Sequence, residues 1–229
     1  MPGTMPGTMN DKPATEIAVA ALLFDMDGTL VDSAAAVHSM YRRWAAKHGI
    51  GLESLMRVQH GRRSIEIATL YAHLGYDVAA ETAWMVEQER IDPSPIIEVP
   101  GAAALLRSLP PERWAVVTSA DRLLALRRLR AAGLPLPGVL VTADDVARGK
   151  PDPECFLIGA ARLGFPAAEC LVLEDAPAGL AGGQAAGAKV LALSTTLTPD
   201  ELAPLPHVPD YRGVTARFEG GQVILRIAG

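Results

Sequence analysis

Two carboxylates follow an apolar run near the amino terminus. Residues 19–24 contain no polar side chain, which is typical of a strand buried on both faces of a parallel sheet. Asp25 and Asp27 come directly after it, and Gly28 can adopt the backbone angles that turn the chain beneath them. Carboxylates in such a place can bind a metal, attack a substrate or transfer a proton. Ligands of open parallel sheets bind at the carboxyl ends of strands, so the pattern predicts a site here, although Asp and Gly are also common in ordinary loops.

Other polar groups follow later strand-like segments. They are Thr118 and Ser119 after the run 114–117, Lys150 in the segment 148–153, and Glu174 with Asp175 after the run 170–173. Alone, Thr118 would be an ordinary residue at a strand end and Lys150 an ordinary surface lysine. Adjacent acids directly after a buried strand are costly unless a positive charge compensates them. In a parallel sheet, these groups at the carboxyl ends of strands would lie where ligands bind.

The elements that position these groups alternate regularly after residue 100. Strands are predicted at 114–117, 139–141, 170–173 and 189–193, and helices at 101–109, 122–132, 154–163 and 178–186. This alternation predicts right-handed crossovers and a parallel sheet. The last segment, 214–227, is predicted to add a hairpin at one edge of that sheet. The arginine-rich face of the helix at 122–130 is expected to be solvated.

The run 22–33 resembles the first motif of the haloacid dehalogenase superfamily, most of whose members are magnesium-dependent phosphatases with the first aspartate as nucleophile. The hydroxyl, the lysine and the acidic pair match its later motifs. The resemblance extends over about residues 19–196 and is closest to the glycerol-3-phosphatase, 2-deoxyglucose-6-phosphatase and bacterial sugar-phosphatase group. One departure is Ser119-Ala120, where this group is expected to have Ser-Gly. The implied fold is α/β, a Rossmann-like doubly wound parallel sheet with an inserted all-helical cap.

The cap is assigned to residues 34–96, which read as four helices at 34–48, 52–58, 64–74 and 79–91. Their position between the first and second motifs matches the superfamily members that have a small helical cap. The alternative is that these helices merely flank the sheet. The predicted organisation is a disordered tail at 1–16, a core at 17–33 and 97–229, and a cap at 34–96.

The resemblance implies a role for each motif residue. Asp25 would attack phosphorus, Asp27 would serve as general acid and base, and Lys150 would pair with both the phosphate and the nucleophile. Thr118 and Ser119 would bind phosphate oxygens. The expected cofactor is Mg²⁺, with Asp25, the backbone carbonyl of Asp27, Asp175, and Glu174 directly or through water as its ligands.

Small phosphorylated sugars or polyols are the implied substrates. His60-Gly61-Arg62-Arg63 joins two helices of the predicted cap, and Gly61 permits a turn that would direct Arg62 or Arg63 toward the strand ends. The alternative is a solvated basic loop.

Rival functions share parts of the pattern. A β-phosphoglucomutase-like enzyme would have every core motif, and a catalytically silent phosphate-binding module is a second alternative. Dehalogenases lack the equivalent of Asp27 because a halide leaving group needs no proton. A phosphonate hydrolase would need a Schiff-base lysine from the cap, where only Lys47 is present.

Composition limits the other partners. The net charge of −5 over 229 residues provides no general basic surface for nucleic acid. No apolar run approaches the ~20 residues that span a bilayer. Cys155 and Cys170 form no disulfide framework and are expected to be buried thiols. We therefore expect a cytoplasmic enzyme, a monomer or weak dimer, with no nucleic-acid or membrane partner.

Overall fold

A computed structural model describes residues 14–229 of the chain. The strands are β1 (Thr15–Val19), β2 (Ala21–Phe24), β3 (Val31–Asp32), β4 (Ile97–Glu98), β5 (Trp114–Val117), β6 (Val139–Val141), β7 (Cys170–Glu174), β8 (Lys189–Leu193), β9 (His207–Val208), β10 (Val214–Glu219) and β11 (Gln222–Ile227). The helices are α1 (Ala34–His48), α2 (Leu52–Gln59), α3 (Ser64–Leu70), α4 (Val78–Ile91), α5 (Ala102–Ser108), α6 (Arg122–Ala131), α7 (Glu154–Leu163), α8 (Pro177–Ala185) and α9 (Pro199–Leu202).

The central sheet has six parallel strands in the order β6-β5-β2-β7-β8-β9. Strand β2 lies between β5 and β7, so the segments that follow these three strands meet at the same edge of the sheet. The predicted doubly wound α/β fold is confirmed.

Both faces of β2 are buried, which explains its uninterrupted apolar sequence. Leu22 and Phe24 belong to a hydrophobic cluster that includes residues of α5 and α6. Ala21 and Leu23 point to the opposite face and belong to a second cluster with residues of α7 and α8. This alternation fixes which residue of the strand faces each helical layer.

The amino-terminal run differs from the prediction of one continuous strand. It bends at Ala20, and β1 leaves the parallel sheet to pair antiparallel with β11. The hairpin of β10 and β11 therefore lies in a separate three-stranded sheet, and its predicted place at an edge of the parallel sheet is wrong. Of the tail predicted at 1–16, residues 1–13 lie outside the described residues, whereas Thr15 and Glu16 belong to β1.

Helices α1 to α4 form a helical insertion (residues 34–96) between β3 and β4. Its helices bury a hydrophobic cluster of their own around Trp44 and Met85. The helix predicted at 64–74 ends at Leu70 and is followed by a 3₁₀ turn at Ala72–Leu74. The two ends of the insertion are joined because β3 pairs with β4. The division into core and cap domains stays a prediction.

No helix within residues 14–229 combines the length and apolar character that crossing a membrane requires. Both cysteines, Cys155 and Cys170, are free and buried, as predicted.

Gly159 lets α7 lie close against the sheet. A Cβ atom at this position would lie 2.9 Å from Val117 Cγ2 and 3.5 Å from Leu23 Cδ2. The segment that carries Lys150 leads into this helix. The close approach of α7 to the sheet therefore also brings Lys150 near the strand ends.

We expect Gly159→Ala to lower the free energy of unfolding. Overpacking a core costs ~1–3 kcal/mol, of which the better helix propensity of Ala returns at most ~1 kcal/mol. Urea denaturation measures the change. Gly138→Ala is the matched control, since the nearest atom to its added Cβ would lie 3.9 Å away. Equal stability of both variants and the wild type would contradict the packing explanation.

Candidate active site

Asp25 lies at the carboxyl end of the central strand, where its backbone N–H donates to Leu173 O at 2.9 Å. The chain then turns at Gly28, whose φ is +82°. A Cβ atom on Gly28 would lie 2.1 Å from Asp175 Oδ2. Glycine is therefore needed here for both its backbone angles and its lack of a side chain.

Lys150 reaches the centre of the site from the segment before α7. Its Nζ donates to Asp25 Oδ1 at 2.5 Å, to Glu174 Oε1 at 2.8 Å and to Val117 O at 3.2 Å. Burial by itself would lower the pKa of Lys150, but Asp25 and Glu174 hold that pKa above its ordinary value. Burial raises the pKa of Asp25, and Lys150 opposes this rise. The ammonium group is thus a permanent positive charge beside Asp25.

Backbone N–H groups and threonine hydroxyls donate hydrogen bonds to the acidic pair Glu174 and Asp175 at the end of β7. Glu174 Oε2 accepts the backbone N–H groups of Asp175 and Ala176, each at 2.8 Å. Asp175 accepts the hydroxyl of Thr29 at 3.0 Å and that of Thr196 on its other oxygen. Burial, together with the charge of Glu174, raises the pKa of Asp175 to about 7.

Carboxylate oxygens of Asp25, Glu174 and Asp175 lie within 4.8 Å of one another. In their ionised forms, these three buried carboxylates carry more negative charge than one ammonium group compensates, which fits a divalent cation. The structure thus brings together the three side chains whose carboxylates were predicted to bind the metal.

Thr29 and Thr196 were not identified from the sequence, although both contact the acidic pair. Thr29 directly follows Gly28 within the run 22–33, so its place in the first motif could have identified it as a site residue. Thr196 follows β8 in a polar stretch that carries no such signal.

Thr118 and Ser119 lie at the end of β5, beside β2. Thr118 is buried, and its Oγ1 accepts the backbone N–H of Ala120 at 3.1 Å. The hydroxyl hydrogen of Thr118 therefore remains for another acceptor. Ser119 instead donates its hydroxyl to Gly61 O at 2.8 Å, which links the sheet to the helical insertion. Only the backbone of Ser119 is left for the predicted contact with phosphate.

Asp27 points away from Lys150. Its Oδ1 accepts the hydroxyl of Ser33 at 2.6 Å and pairs with Arg128 Nη1 at 2.9 Å. The other terminal nitrogen of Arg128, Nη2, lies 2.7 Å from Glu89 Oε2 on α4.

Arg128 corrects the prediction that the arginine-rich face of α6 is solvated. Arg127 and Arg130 are exposed, but the side chain of Arg128 is only 4% exposed. It lies four residues after Leu124 on the buried face of α6, where both Asp27 and Glu89 compensate its charge. This helical spacing was a signal in the sequence that Arg128, unlike Arg127 and Arg130, would be buried.

The loop of Gly61, Arg62 and Arg63 contacts the core, but its two arginines differ. Arg63 bonds to Glu66 and donates to the carbonyl oxygens of Val146 and Ala147, each at 3.2 Å. Its guanidinium joins the helical insertion to the core, and Arg63 also lines the cavity described below, so its contact with a substrate stays a prediction. Arg62 is exposed.

A cavity of ≈ 330 Å³ lies between the strand ends and the helical insertion. Its lining includes Asp25, Asp27, Thr118, Arg62, Glu89 and Arg128. Most of the predicted residues thus face one space, which Lys150 and Glu174 do not line. Asp175 lines a neighbouring cavity that shares Asp27 and Gly61 with the first.

Known proteins resemble this chain in sequence and in fold. Residues 19–187 match the family model for haloacid dehalogenase-like hydrolases. The chain is 43% identical over 179 residues to hexitol phosphatase A of Escherichia coli, with 75% of this chain and 82% of the relative covered. It is 37% identical over 209 residues to glycerol-1-phosphate phosphohydrolase 2 of Saccharomyces cerevisiae, with 85% and 82% covered.

A crystal structure of a hydrolase from Pseudomonas syringae superposes with a TM-score of 0.73 at 27% identity, and covers 82% of this chain and 93% of that one. The relatives confirm the predicted group and the predicted enzyme class, a phosphoric monoester hydrolase. The chain belongs to the haloacid dehalogenase-like hydrolase family.

Proposed function

We propose that the chain hydrolyses phosphate monoesters of small sugars or polyols with the help of Mg²⁺, and that Asp25 is the nucleophile. The observation that carries this proposal is the Asp25 carboxylate, held by Lys150 at the floor of a cavity and next to two further buried acids. The substrate class is supported by the names of the hexitol and glycerol-1-phosphate relatives.

The nucleophile is prepared by its hydrogen bonds. Lys150 binds Asp25 Oδ1, which leaves Oδ2 to attack phosphorus in line with the ester oxygen. The new bond joins Oδ2 to phosphorus, and the bond from phosphorus to the ester oxygen breaks. The hydroxyl of Thr118 and the backbone N–H of Ser119, at the end of β5, bind oxygens of the same phosphate.

Asp27 moves the proton in both halves of the reaction. It gives a proton to the departing alkoxide, and then takes one from the water that cleaves the aspartyl phosphate. Phosphate is released, and Asp25 and Asp27 return to their starting states. An alkoxide from a sugar or polyol is a poor leaving group, so this proton transfer matters most for such substrates.

The metal site is assigned to Asp25, Asp175, the backbone carbonyl of Asp27, and Glu174 directly or through water. Bound Mg²⁺ neutralises charge on the phosphate, which otherwise repels an anionic nucleophile. Among these residues, Glu174 already accepts three donors, whereas each oxygen of Asp175 accepts one. Asp175 therefore retains more capacity for a metal bond.

Residues 34–96 would serve as the cap that covers the phosphate during turnover. This division, together with a cytoplasmic location and a monomeric or weakly dimeric state, rests on the sequence.

The test of the function is a panel of sugar and polyol phosphates with Mg²⁺, scored for free phosphate and for isomerised sugar phosphate. Asp25→Asn should lower phosphate release at least a thousandfold, because an amide cannot form the acyl phosphate. Asp200→Asn, an exposed change in α9, is the matched control. Activity of Asp25→Asn within tenfold of wild type would remove the nucleophile role, and isomerised product would indicate a mutase.

We expect Asp175→Asn to weaken Mg²⁺ binding at least tenfold and Glu174→Gln to weaken it less. The reason is the greater number of donors already bound to Glu174. Calorimetric titration with Mg²⁺ measures the affinity without any substrate, and activity before and after chelation gives a second measure. Identical Mg²⁺ affinities for both variants and the wild type would contradict the assigned metal site.

We expect Arg62→Ala to change the ranking of sugar phosphates by about tenfold, or ~1.4 kcal/mol of differential transition-state binding, while p-nitrophenyl phosphate is spared. Arg62 is exposed and lines the cavity, so it can reach the sugar part of a substrate. Arg57→Ala, an exposed change on α2, is the control. A uniform loss across the panel would assign Arg62 a general electrostatic role.

A further inference from the structure

Arg128 joins two parts of the molecule that are far apart in sequence. It projects from α6, is buried, and forms ion pairs with Asp27 after β2 and with Glu89 on α4. We propose that Arg128 is a positioning residue that couples the seating of the helical insertion to the orientation of Asp27. This inference rests on the proposed function, because it concerns the orientation of Asp27, the residue proposed to transfer the proton.

At the Asp27 end, the hydrogen bond from Ser33 and the ion pair with Arg128 share one carboxylate oxygen. Ser33 Oγ lies 2.6 Å from Oδ1 and Arg128 Nη1 lies 2.9 Å from it. Within residues 14–229, the structure records no donor to Asp27 Oδ2. One hydrogen bond and one ion pair on Oδ1 restrain the rotation of the carboxylate and leave Oδ2 as the oxygen that carries or accepts the transferred proton. Oδ1 remains an acceptor whether or not Oδ2 is protonated.

At the Glu89 end, the contact depends on the helical insertion. Glu89 Oε2 lies 2.7 Å from Arg128 Nη2, and both side chains are at most 10% exposed. A guanidinium is planar and rigid, so fixing one terminal nitrogen also fixes the direction of the other. Glu89 therefore determines where Nη1 points, and a displacement of α4 is transmitted to Asp27.

A second ion pair at the same interface lacks this connection. Arg90 on α4 pairs with Asp121 at the start of α6, with Nη2 and Oδ1 separated by 2.7 Å. Asp121 also accepts the N–H groups of Leu123 and Leu124, so this pair holds α4 against the end of α6. Neither partner is recorded in contact with Asp27. The chain thus supplies a matched control, a neighbouring pair that joins α4 to α6 without contacting the proton donor.

The experiment compares kcat for a polyol phosphate with kcat for p-nitrophenyl phosphate, whose leaving group needs little help from an acid. Glu89→Ala and Arg128→Ala should each lower kcat for the polyol phosphate at least tenfold and kcat for p-nitrophenyl phosphate less than threefold. The double variant should be no slower than Arg128→Ala, since both changes interrupt one connection. Arg90→Ala should change both substrates by the same factor.

The Asp27→Asn background provides a further check. There, Glu89→Ala should produce no selective loss for the polyol phosphate, because the group that Arg128 orients is already absent. Should Arg128→Ala fail to fold, Glu89→Ala still decides the matter, because it keeps the Arg128 side chain and removes only the contact that directs it toward Asp27. Circular dichroism and thermal unfolding identify folded variants.

Equal losses on both substrates, as expected for Arg90→Ala, would overturn the proposal and reduce Arg128 to a clamp between helices. Losses that multiply in the double variant would overturn it as well. Failure of the proposed function is a different result, because the wild type would then release no phosphate from either substrate.

Discussion

The contact between Lys150 and the carboxylates of Asp25 and Glu174 is the interaction on which the site depends. All three groups are buried, and an isolated charge in such a place is costly. Removing one partner of a buried ion pair typically costs ~3–5 kcal/mol, because the other charge is left uncompensated. The same ammonium group that makes the buried acids tolerable also leaves one oxygen of Asp25 available for reaction.

The parallel sheet makes this contact possible between residues that are far apart in sequence. Asp25 and Thr118 directly follow β2 and β5, Glu174 is the last residue of the adjacent strand β7, and all parallel strands end at one edge. Lys150 comes from the connection between β6 and α7, and its Nζ donates to Val117 O at the end of β5. The architecture thus assembles the charges, and the helical insertion closes the space above them.

The sequence was sufficient for strands β2 and β5 to β8 and for the meeting of the polar groups at their ends, because uninterrupted apolar runs and the residues that follow them are local features. The short strand β9 was not predicted. The sequence was insufficient where tertiary packing decides. Helical spacing places Arg128 on the buried face of α6, but its partners Asp27 and Glu89 are distant in the chain and could not be predicted from it. Likewise, the sequence does not show that Arg63 donates to carbonyl oxygens of the segment after β6. The bend at Ala20 depends on pairing with β11, which is distant in the chain.

The short ladder between β3 and β4 has a consequence for how this architecture can diversify. Val31 lies opposite Glu98, so the chain leaves the core and returns to it at adjacent points. A segment bounded in this way can be lengthened, shortened or exchanged as a module while the ends of the central strands keep their spacing. Under the proposed function, substrate selection and phosphoryl chemistry can evolve separately, one in the inserted helices and the other at the edge of the sheet, with Arg128 as the proposed point where a change in one must suit the other.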